Sequence, residues 1–467
     1  MDEELAFATA LELAATVRTR EVSPLELADL YLDRIERLDP QLNSYVTVDA
    51  DGVRAAARAA ESAPSEAPFH GVPLPIKDLN ETAGLKTTYS TKAYADNVPD
   101  FDAAVVRRLR EAGFLVLGKT NTPELGTIAQ TESELNGACR NPWNTERTSG
   151  GSSGGAAAAV AAGLCPAAQG SDGGGSIRIP ASCCGLVGLK PSRGRVSPAP
   201  WGSGSIGLST NGSLTRTVRD TAALLDVMAG PEPGEFFVAP EPERPFLAEA
   251  DIPPGRLRIA VTTTPPLEVP LDPECVAAVE ATAALLSDLG HEVVEASPAW
   301  QADEAIAEFI RIWQVGPTLA GIEDVSLLEP INRALAEDAR ATTSAEYGLA
   351  VIRLQTLVRS VAAFWLDVDV LVTPTLAMQP VPIGWTYEDT DGDGRLAFAR
   401  QLLFTPFTAL INVTGQPAMS LPLHQSAESL PVGVHFVGRP FAEATLIRLA
   451  AQLEQARPWI DRRPPVG

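Results

Sequence analysis

Serine and glycine are concentrated in two stretches of the sequence, SGGSSGG at residues 149–155 and SDGGGSIRIP at residues 171–180. Both stretches are closely flanked by apolar segments, which favours tight turns inside a packed sheet over flexible linkers. The three consecutive glycines before Ser176 allow neighbouring N–H groups to point into one concavity, an arrangement that stabilises an oxyanion. The pattern therefore predicts acyl transfer, with Ser176 as the candidate nucleophile beside its own oxyanion hole.

A serine hydroxyl is a weak nucleophile unless a base removes its proton. The histidines lie in neither an H-E-x-x-H motif nor a G-x-S-x-G elbow, and we expect packing or surface roles for all four: His70, His291, His424 and His435. Lys77 is the remaining candidate base because it ends the apolar segment GVPLPIK, where burial would lower the pKa of its amine. A structural ion pair with Asp78 or another acid is the alternative role for Lys77.

These motifs together resemble those of the amidase signature family. The resemblance is carried by GGSSGG, by SDGGGSIRIPA and by PIKD upstream of both. It extends to LGKTNTPELG, RNPWN, CGLVGLKPSRGRVS and NVTGQPAMSLP, and then to LPVGVHFVGRPFAEATLIRLA. The similarity therefore covers nearly the whole chain from residue 71 to residue 455.

The resemblance implies a catalytic triad of two serines and a lysine. Ser176 would attack the substrate carbonyl and carry the acyl group. Ser152, held by a cis peptide bond, would relay the proton between Ser176 and Lys77, and Lys77 would be the base that is neutral at rest. The serines are 24 residues apart and Lys77 precedes Ser152 by 75 residues, which agrees with the family pattern.

The resemblance also implies an oxyanion hole formed by the N–H groups of Gly173, Gly174, Gly175 and Ser176. Two positions depart from the family pattern. Ser149 stands where relatives often have Pro, and Gly173 stands where many have Thr or Ile. Neither departure removes a catalytic group, although Gly173 would loosen the oxyanion hole slightly.

Further residues are expected to support this site from behind. Asp172 and Arg178 would form an ion pair that braces the glycine loop. Ser153 is a supporting residue next to Ser152. Gly126 matches a position whose main chain borders the substrate in relatives.

The function that the resemblance implies is a stand-alone amide hydrolase without a cofactor or a metal. Esters and carbamates are further candidate substrates, because such a site recognises a carbonyl group. The alternative is the A subunit of glutamyl-tRNA amidotransferase, a glutaminase that passes ammonia to a partner. The S-S-L-D-Q run expected of that subunit after GLKPSRGRVS is missing, and GLSTNGSLTRTVRD stands nearby instead.

Two other motifs match binding loops only in part. GFLVLGKT, residues 113–120, fits the nucleotide-binding P-loop pattern, but its four apolar positions predict a buried strand, and Pro123 follows too soon for the required helix. Asp389, Asp391 and Asp393 match the first half of a calcium loop, whose bidentate Glu at position twelve is replaced by Arg400. We interpret the first as a sheet strand and the second as a solvated acidic turn.

The elements that must position these residues alternate between short apolar strands and helices. This alternation predicts an α/β fold with a mixed, largely parallel twisted central sheet covered on both faces by helices. We expect one domain over 1–467, in which 1–65 is an N-terminal helical arm, 71–230 is the catalytic core and 247–467 completes the sheet and the substrate pocket. In the arm, a capping box at Ser23–Glu26 begins a helix that Asp39-Pro40 should end.

Composition limits the partners and the compartment. Asp plus Glu is 59 and Lys plus Arg is 36, which gives a net charge of −23 and argues against nucleic-acid and anionic-membrane partners. The first residues lack the basic start of a secretory signal, and the five cysteines include no C-x-x-C pair. We therefore expect a cytoplasmic monomer or homodimer that acts on a small-molecule amide, ester or carbamate.

Overall fold

The computed structural model describes residues 2–63 and 66–467. Within these ranges the strands are β1 (Tyr45–Val48), β2 (Pro73–Lys77), β3 (Leu115–Thr120), β4 (Arg140–Asn141), β5 (Asn144–Thr148), β6 (Ala167–Asp172), β7 (Val187–Lys190), β8 (Thr210–Thr215), β9 (Arg258–Val261), β10 (Glu292–Glu295), β11 (Val370–Pro374), β12 (Ala418–Gln425) and β13 (Pro431–Gly438).

The α-helices of the same ranges are α1 (Asp2–Ala6), α2 (Ala10–Thr19), α3 (Pro24–Leu42), α4 (Ala50–Ser62), α5 (Ala104–Glu111), α6 (Gly154–Ala161), α7 (Arg178–Cys184), α8 (Gly204–Gly207), α9 (Val218–Met228), α10 (Phe246–Glu249), α11 (Pro273–Asp288), α12 (Ala302–Trp313), α13 (Gly316–Leu319), α14 (Pro330–Ala341), α15 (Ser344–Val361), α16 (Phe364–Asp367), α17 (Gly394–Phe404), α18 (Ala409–Thr414) and α19 (Glu443–Ala456).

The central sheet contains eight strands in the order β10-β9-β11-β13-β12-β7-β8-β6, flanked by helices. It is a mixed sheet, which confirms the predicted α/β fold class. The predicted predominance of parallel neighbours is not found, because only β10/β9 and β9/β11 are parallel and the other five pairs are antiparallel. The short connection between β12 and β13 forces an antiparallel hairpin at the centre of the sheet. The alternation of strands and helices along the sequence does not predict such a hairpin.

A second sheet has three strands in the order β1-β3-β2, and its strand β2 contains Lys77. Its middle strand β3 contains LVLGKT and is buried throughout, and a short 3-10 turn at Glu124–Gly126 follows it instead of an α-helix. The prediction that this motif is a sheet strand and not a nucleotide loop is therefore confirmed. Strand β2 lies parallel to β3, with Lys77 opposite Thr120.

The N-terminal segment is mostly helical but also provides β1, the edge strand of the second sheet, which the helical interpretation missed. The capping box at Ser23 and Glu26 is present. Helix α3 continues past Asp39 to Leu42, so the predicted end is wrong: Pro40 removes one N–H donor in the last turn, where few backbone hydrogen bonds remain to be lost. Residues 1, 64 and 65 of the predicted arm lie outside the described residues.

The core is formed by apolar side chains between the helices and the two sheets. Helix α6, which is rich in alanine, is buried at every residue. All five cysteines are buried free thiols: Cys139, Cys165, Cys183, Cys184 and Cys275. Their small side chains pack in the interior as apolar groups.

Two surface segments bear on the sequence predictions. In the acidic turn, Asp393 Oδ1 accepts the N–H of Arg395 and so caps α17, while Arg400 pairs with Glu388 at 2.9 Å. These are the contacts of a helix start and not of an ion-binding loop.

Within the described ranges, residues 344–367 are the one helical stretch with the length and apolar composition needed to cross a membrane, and 28% of its most apolar window is buried. A single stretch that meets these criteria by length and composition alone is weak evidence, so it does not by itself indicate a membrane protein.

Candidate active site

Three chain segments bring the predicted catalytic residues together. Lys77 is the last residue of β2, and its backbone N–H donates to Gln169 Oε1 of β6 at 3.1 Å. Ser152 lies in the turn before α6, and Ser176 lies in the turn between β6 and α7. The two glycine-rich stretches are therefore turns between regular elements, as the sequence suggested.

Lys77 is fully buried, and its amine lies among three oxygens. Its Nζ is 2.7 Å from Ser152 Oγ, 3.1 Å from Ser171 Oγ and 3.4 Å from the Ser171 carbonyl oxygen. Burial lowers the pKa of Lys77 to about 7, against the opposing charge of Asp172. A neutral amine has two N–H donors, and if both point to Ser171 its lone pair faces the Ser152 hydroxyl.

Asp78 is turned away from Lys77. Its carboxylate accepts the Thr88 hydroxyl at 2.6 Å and lies 3.9 Å from the amine of Lys119. Lys77 has no ion pair within 4.0 Å among the described residues, so the alternative role as a structural ion pair with Asp78 is not found.

Ser152 is preceded by a cis peptide bond from Gly151, as the resemblance implied. The main chain of Gly126 approaches it from the other side. A Cβ atom at Gly126 would lie 3.2 Å from Ser152 Oγ and 2.5 Å from Leu79 Cδ1, and the φ of +70° also favours glycine. Gly126 therefore lies beside Ser152, and its contact with a substrate stays a prediction.

Ser176 is 7% exposed and lines the same cleft as Ser152. Its Oγ has no hydrogen-bond partner among the described residues, which leaves it open to a substrate. The Ser176 carbonyl accepts the N–H of Ser153 at 3.2 Å, and the Ser153 hydroxyl donates to the Ser171 carbonyl at 3.1 Å. Ser153 thus links the turns that hold the two serines of the predicted triad.

The N–H groups of the glycine turn differ in whether the protein already supplies an acceptor. Those of Gly173, Gly174 and Ser176 have no acceptor among the described residues. The N–H of Gly175 donates to Asp172 Oδ1 at 2.8 Å. The structure therefore leaves three N–H groups for an oxyanion, and not the four that were predicted, because the buried carboxylate behind the turn occupies one of them.

Asp172 and Arg178 form the predicted ion pair behind this turn. Both side chains are fully buried, and Arg178 binds Asp172 in a bidentate manner, with Nε–Oδ2 and Nη2–Oδ1 distances of 2.9 Å. Burial alone would raise the pKa of Asp172, but the charge and hydrogen bonds of Arg178 hold that pKa well below its usual range. The ionised carboxylate then fixes the turn through the N–H groups of Gly175 and Ile177.

Sequence reasoning missed the residues that support this ion pair from the C-terminal half. Asn412 accepts from Arg178 Nη2 at 2.6 Å and donates to Asp172 Oδ1 at 2.9 Å. His435, which was assigned a packing role, lies with its Nε2 at 3.0 Å from Arg178 Nη1. Asn412 belongs to the NVTGQPAMSLP segment of the resemblance, which was the one signal that could have identified it.

The serines open into a cleft of about 410 Å³, whose lining includes Ser152, Ser171, Ser176 and Gly126. Ser176 also lines a smaller, mainly apolar cavity of about 60 Å³ next to Phe309. Trp201 and Trp313 line the cleft, and Trp313 lines the smaller cavity as well.

The chain is similar to known proteins over nearly its whole length. A family model named Amidase matches residues 26–447. The putative amidase AmiB2 of Mycobacterium bovis is 43% identical over 478 residues, covering 99% of both chains. The 6-aminohexanoate-cyclic-dimer hydrolase of Paenarthrobacter ureafaciens is 40% identical over 476 residues, covering 97% of this chain and 95% of the relative. A solved structure of 6-aminohexanoate cyclic dimer hydrolase with its substrate superposes with a TM-score of 0.92 at 38% identity and covers 99% of both chains.

Proposed function

The chain belongs to the amidase signature family and is an amide hydrolase, and we propose that it cleaves the C–N bond through an acyl-enzyme on Ser176. The observation that carries this proposal is the fully buried amine of Lys77, 2.7 Å from Ser152 Oγ, with a pKa of about 7. A base with that pKa is about half neutral near pH 7, so a substantial fraction of Lys77 is in the state needed to accept a proton.

In the first half of the reaction, Ser176 Oγ attacks the substrate carbonyl carbon. Its proton passes to Ser152, whose own proton passes to Lys77, so that Lys77 becomes an ammonium. The relay requires Ser176 Oγ to come within hydrogen-bond distance of Ser152 Oγ, and such contacts commonly tighten when a substrate binds. The negative charge that develops on the carbonyl oxygen is stabilised by the N–H groups of Gly173, Gly174 and Ser176.

In the second half, the intermediate collapses and the C–N bond breaks. The leaving nitrogen takes the proton back from Lys77 through Ser152 and departs as an amine. Water then attacks the acyl carbon and gives its proton to the same relay, which releases the carboxylic acid and restores Ser176. Asp172 and Arg178 act by holding the glycine turn in place.

The substrate that we propose is a small-molecule amide, with esters and carbamates as further candidates. The cleft of about 410 Å³ is of a size that suits small molecules. One relative is named for hydrolysis of the cyclic dimer of 6-aminohexanoate, which contains amide bonds. The A subunit of glutamyl-tRNA amidotransferase is less favoured, because the relatives reported above are amidases and an amide hydrolase over nearly their whole length.

We further propose that the enzyme acts in a reducing compartment such as the cytoplasm, as a monomer or homodimer. All five cysteines are free and buried, which suits a compartment where disulfides do not form. Size-exclusion chromatography with light scattering measures the assembly state, and a stable higher oligomer would contradict this part of the proposal.

Covalent labelling tests the nucleophile directly. A fluorophosphonate should modify wild-type protein on the peptide that contains Ser176, as read by mass spectrometry. Ser176→Ala should lose both the label and the hydrolysis of a panel of anilides, primary amides, esters and carbamates. Ser209→Ala is the matched control, because Ser209 is an exposed serine of the same cleft, and this variant should still be labelled. Hydrolysis that survives in Ser176→Ala would refute the assignment.

A further inference from the structure

A further cavity of about 600 Å³ adjoins the catalytic cleft. The two spaces share five lining residues: Tyr89, Leu125, Trp201, Leu319 and Ala320. A substrate held at Ser176 can therefore extend into this second space, which we call the outer cavity.

The outer cavity contains one buried carboxylate, that of Glu81, which is 5% exposed. Its Oε1 accepts two hydrogen bonds of 2.8 Å, from the Tyr89 hydroxyl and from Trp201 Nε1. Its Oε2 has no hydrogen-bond partner among the described residues, and no cation of those residues lies within 4.0 Å of the carboxylate. A buried carboxylate without a direct ion pair is unusual, and its unpartnered oxygen is free to bind a cation.

Aromatic rings form the walls around this carboxylate. Tyr89 and Tyr94 meet edge to face with their centroids 5.4 Å apart, and Phe101 and Trp201 do so at 6.2 Å. The Tyr94 hydroxyl donates to the Ala320 carbonyl at 2.6 Å and so fixes one wall to the loop after α13. Faces of aromatic rings attract cations, and an aromatic cage with a carboxylate is well suited to an ammonium group.

The charges near the outer cavity also favour a cation. Asp100 lines it, and no Lys or Arg is among its lining residues. The amine of Lys119 faces the core, where it donates to Thr82 Oγ1 at 3.1 Å and to Thr87 Oγ1 at 2.9 Å. The amine of Lys86 pairs with Asp96 at 3.1 Å. Burial lowers the pKa of Lys119 to about 8 against the opposing charges of Asp78 and Glu81, so Lys119 acts on Glu81 from the core side. No Lys or Arg of the described residues lines the cavity itself.

The wall shared by the cleft and the outer cavity has a strained backbone. Tyr89 and Leu125 adopt φ values of +52° and +53°, which bulky side chains rarely adopt. The two residues are joined by a 2.8 Å hydrogen bond from the Leu125 N–H to the Tyr89 carbonyl, and Leu125 directly precedes Gly126 of the reactive site. Strain of this kind is found at functional sites, where the surrounding structure holds it in place.

We propose that the outer cavity binds the ammonium group of the substrate, so that the preferred amides carry a protonated amine at the end remote from the scissile bond. This inference rests on the proposed function of Ser176. Glu81 supplies the charge through its unpaired oxygen, and the aromatic rings of the cavity wall add a cation–π attraction. Substrates with a carboxylate at that end are disfavoured by repulsion from Glu81 and Asp100.

Two substrate series test the proposal in the wild-type enzyme. The first contains ω-aminoacyl p-nitroanilides with two to eight methylene groups, and the second contains monoacylated diamines of the same lengths. Each compound is matched by an isostere in which a hydroxyl replaces the amine. In at least one series we expect an optimum length at which the ammonium compound has a kcat/KM about tenfold above its hydroxyl isostere, with the difference carried mainly by KM. Equal values throughout both series would overturn the proposal.

A pair of variants tests whether Glu81 causes the preference for ammonium substrates. Glu81→Gln should reduce the ammonium-to-hydroxyl ratio of kcat/KM by about tenfold, whereas a purely structural role of Glu81 would change both compounds alike and leave the ratio unchanged. Asp96→Asn removes the same charge from an exposed position nearby and should keep the ratio. If Glu81→Gln does not fold, the wild-type series alone decides. Absence of the preference in the wild-type enzyme, with labelling of Ser176 intact, refutes only this inference, whereas hydrolysis without Ser176 refutes the proposed function.

Discussion

Single residues decide the chemistry of this site through the protonation state of one amine. Burial lowers the pKa of Lys77 to about 7 from a reference near 10.5. At pH 7 and below, the unfolded chain binds a proton on the Lys77 amine more tightly than the folded protein does. This difference lowers the free energy of unfolding by on the order of 5 kcal/mol. This cost diminishes as the pH rises from about 7 towards 10.5.

The pH dependence of hydrolysis follows from the same amine. The neutral form of Lys77 accepts the proton, so kcat/KM should rise about tenfold per pH unit below pH 7 and reach a plateau above it. Initial rates with a neutral anilide between pH 5 and pH 9 measure this profile. A rate that is flat over that range would contradict the role of Lys77.

A second buried lysine provides the control for this profile. Burial also lowers the pKa of Lys190 to about 7, with a further contribution from the charge of Arg178. Lys190→Met should keep the inflection of the kcat/KM profile near pH 7, even if the plateau value of kcat/KM changes. Disappearance of the inflection in this variant would assign the titration to Lys190 and not to Lys77.

Residue types and spacing were enough to select Lys77 and Ser176 from the sequence, and the resemblance added Ser152. The burial of Lys77 follows from the apolar strand that it ends, and that expectation is confirmed. The positions of Ser171 and Asn412 could not be predicted in the same way. Their contacts depend on the register between strands and on residues 240 positions apart, which local patterns do not encode.

At the scale of elements, the turn between β6 and α7 positions the oxyanion donors. Gly175 has a φ of +132°, and an added Cβ would collide with the Thr408 hydroxyl and come within 2.7 Å of Ile179 Cδ1. At Gly174 the nearest atom to such a Cβ is Phe309 Cζ at 3.5 Å, which is ordinary contact. The two neighbouring glycines thus differ in how much space the turn leaves them.

We therefore expect Gly175→Ala to lower kcat by about 100-fold or more, because the turn must shift and move its N–H groups away from the oxyanion. Gly174→Ala should lose considerably less, since its N–H stays in place. Steady-state kinetics on one anilide compares the two variants, and thermal unfolding shows whether both are folded. Equal losses would argue against the steric explanation.

Prediction of the elements succeeded where one segment encodes its own conformation. The apolar run of LVLGKT predicted strand β3, and the capping box predicted the start of α3. It failed for pairing direction in the central sheet, because that direction depends on which distant segments become neighbours. The oxyanion turn shows both aspects, since its glycines were visible in the sequence while the hydrogen bond that occupies Gly175 was not.

At the scale of the whole molecule, the N-terminal segment holds the helix that follows Ser152. Arg34 of α3 is 5% exposed and donates to the carbonyls of Ala162 and Gly163 at the end of α6, at 3.0 and 2.8 Å. These carbonyls would otherwise lack partners at a buried helix end. The arm therefore stabilises the end of the helix that follows Ser152.

Arg34→Ala should lower the free energy of unfolding by about 2–3 kcal/mol, because buried carbonyls lose charged donors. Arg37→Ala is the matched control, since Arg37 is an exposed residue of the same helix, and its effect should stay within about 0.5 kcal/mol. Urea denaturation followed by tryptophan fluorescence measures both variants. Equal midpoints would show that the arm does not stabilise α6.

The order of strands in the central sheet has a consequence for how the protein is made. Strand β7 pairs on one side with β12, which leaves the ribosome roughly 230 residues later, about 10 to 50 seconds at ordinary rates of synthesis. Until then one edge of the nascent sheet stays uncovered beside the turn that carries the nucleophile. The growing chain is thus exposed to aggregation during that interval, and its hydrolytic centre matures only near the end of translation.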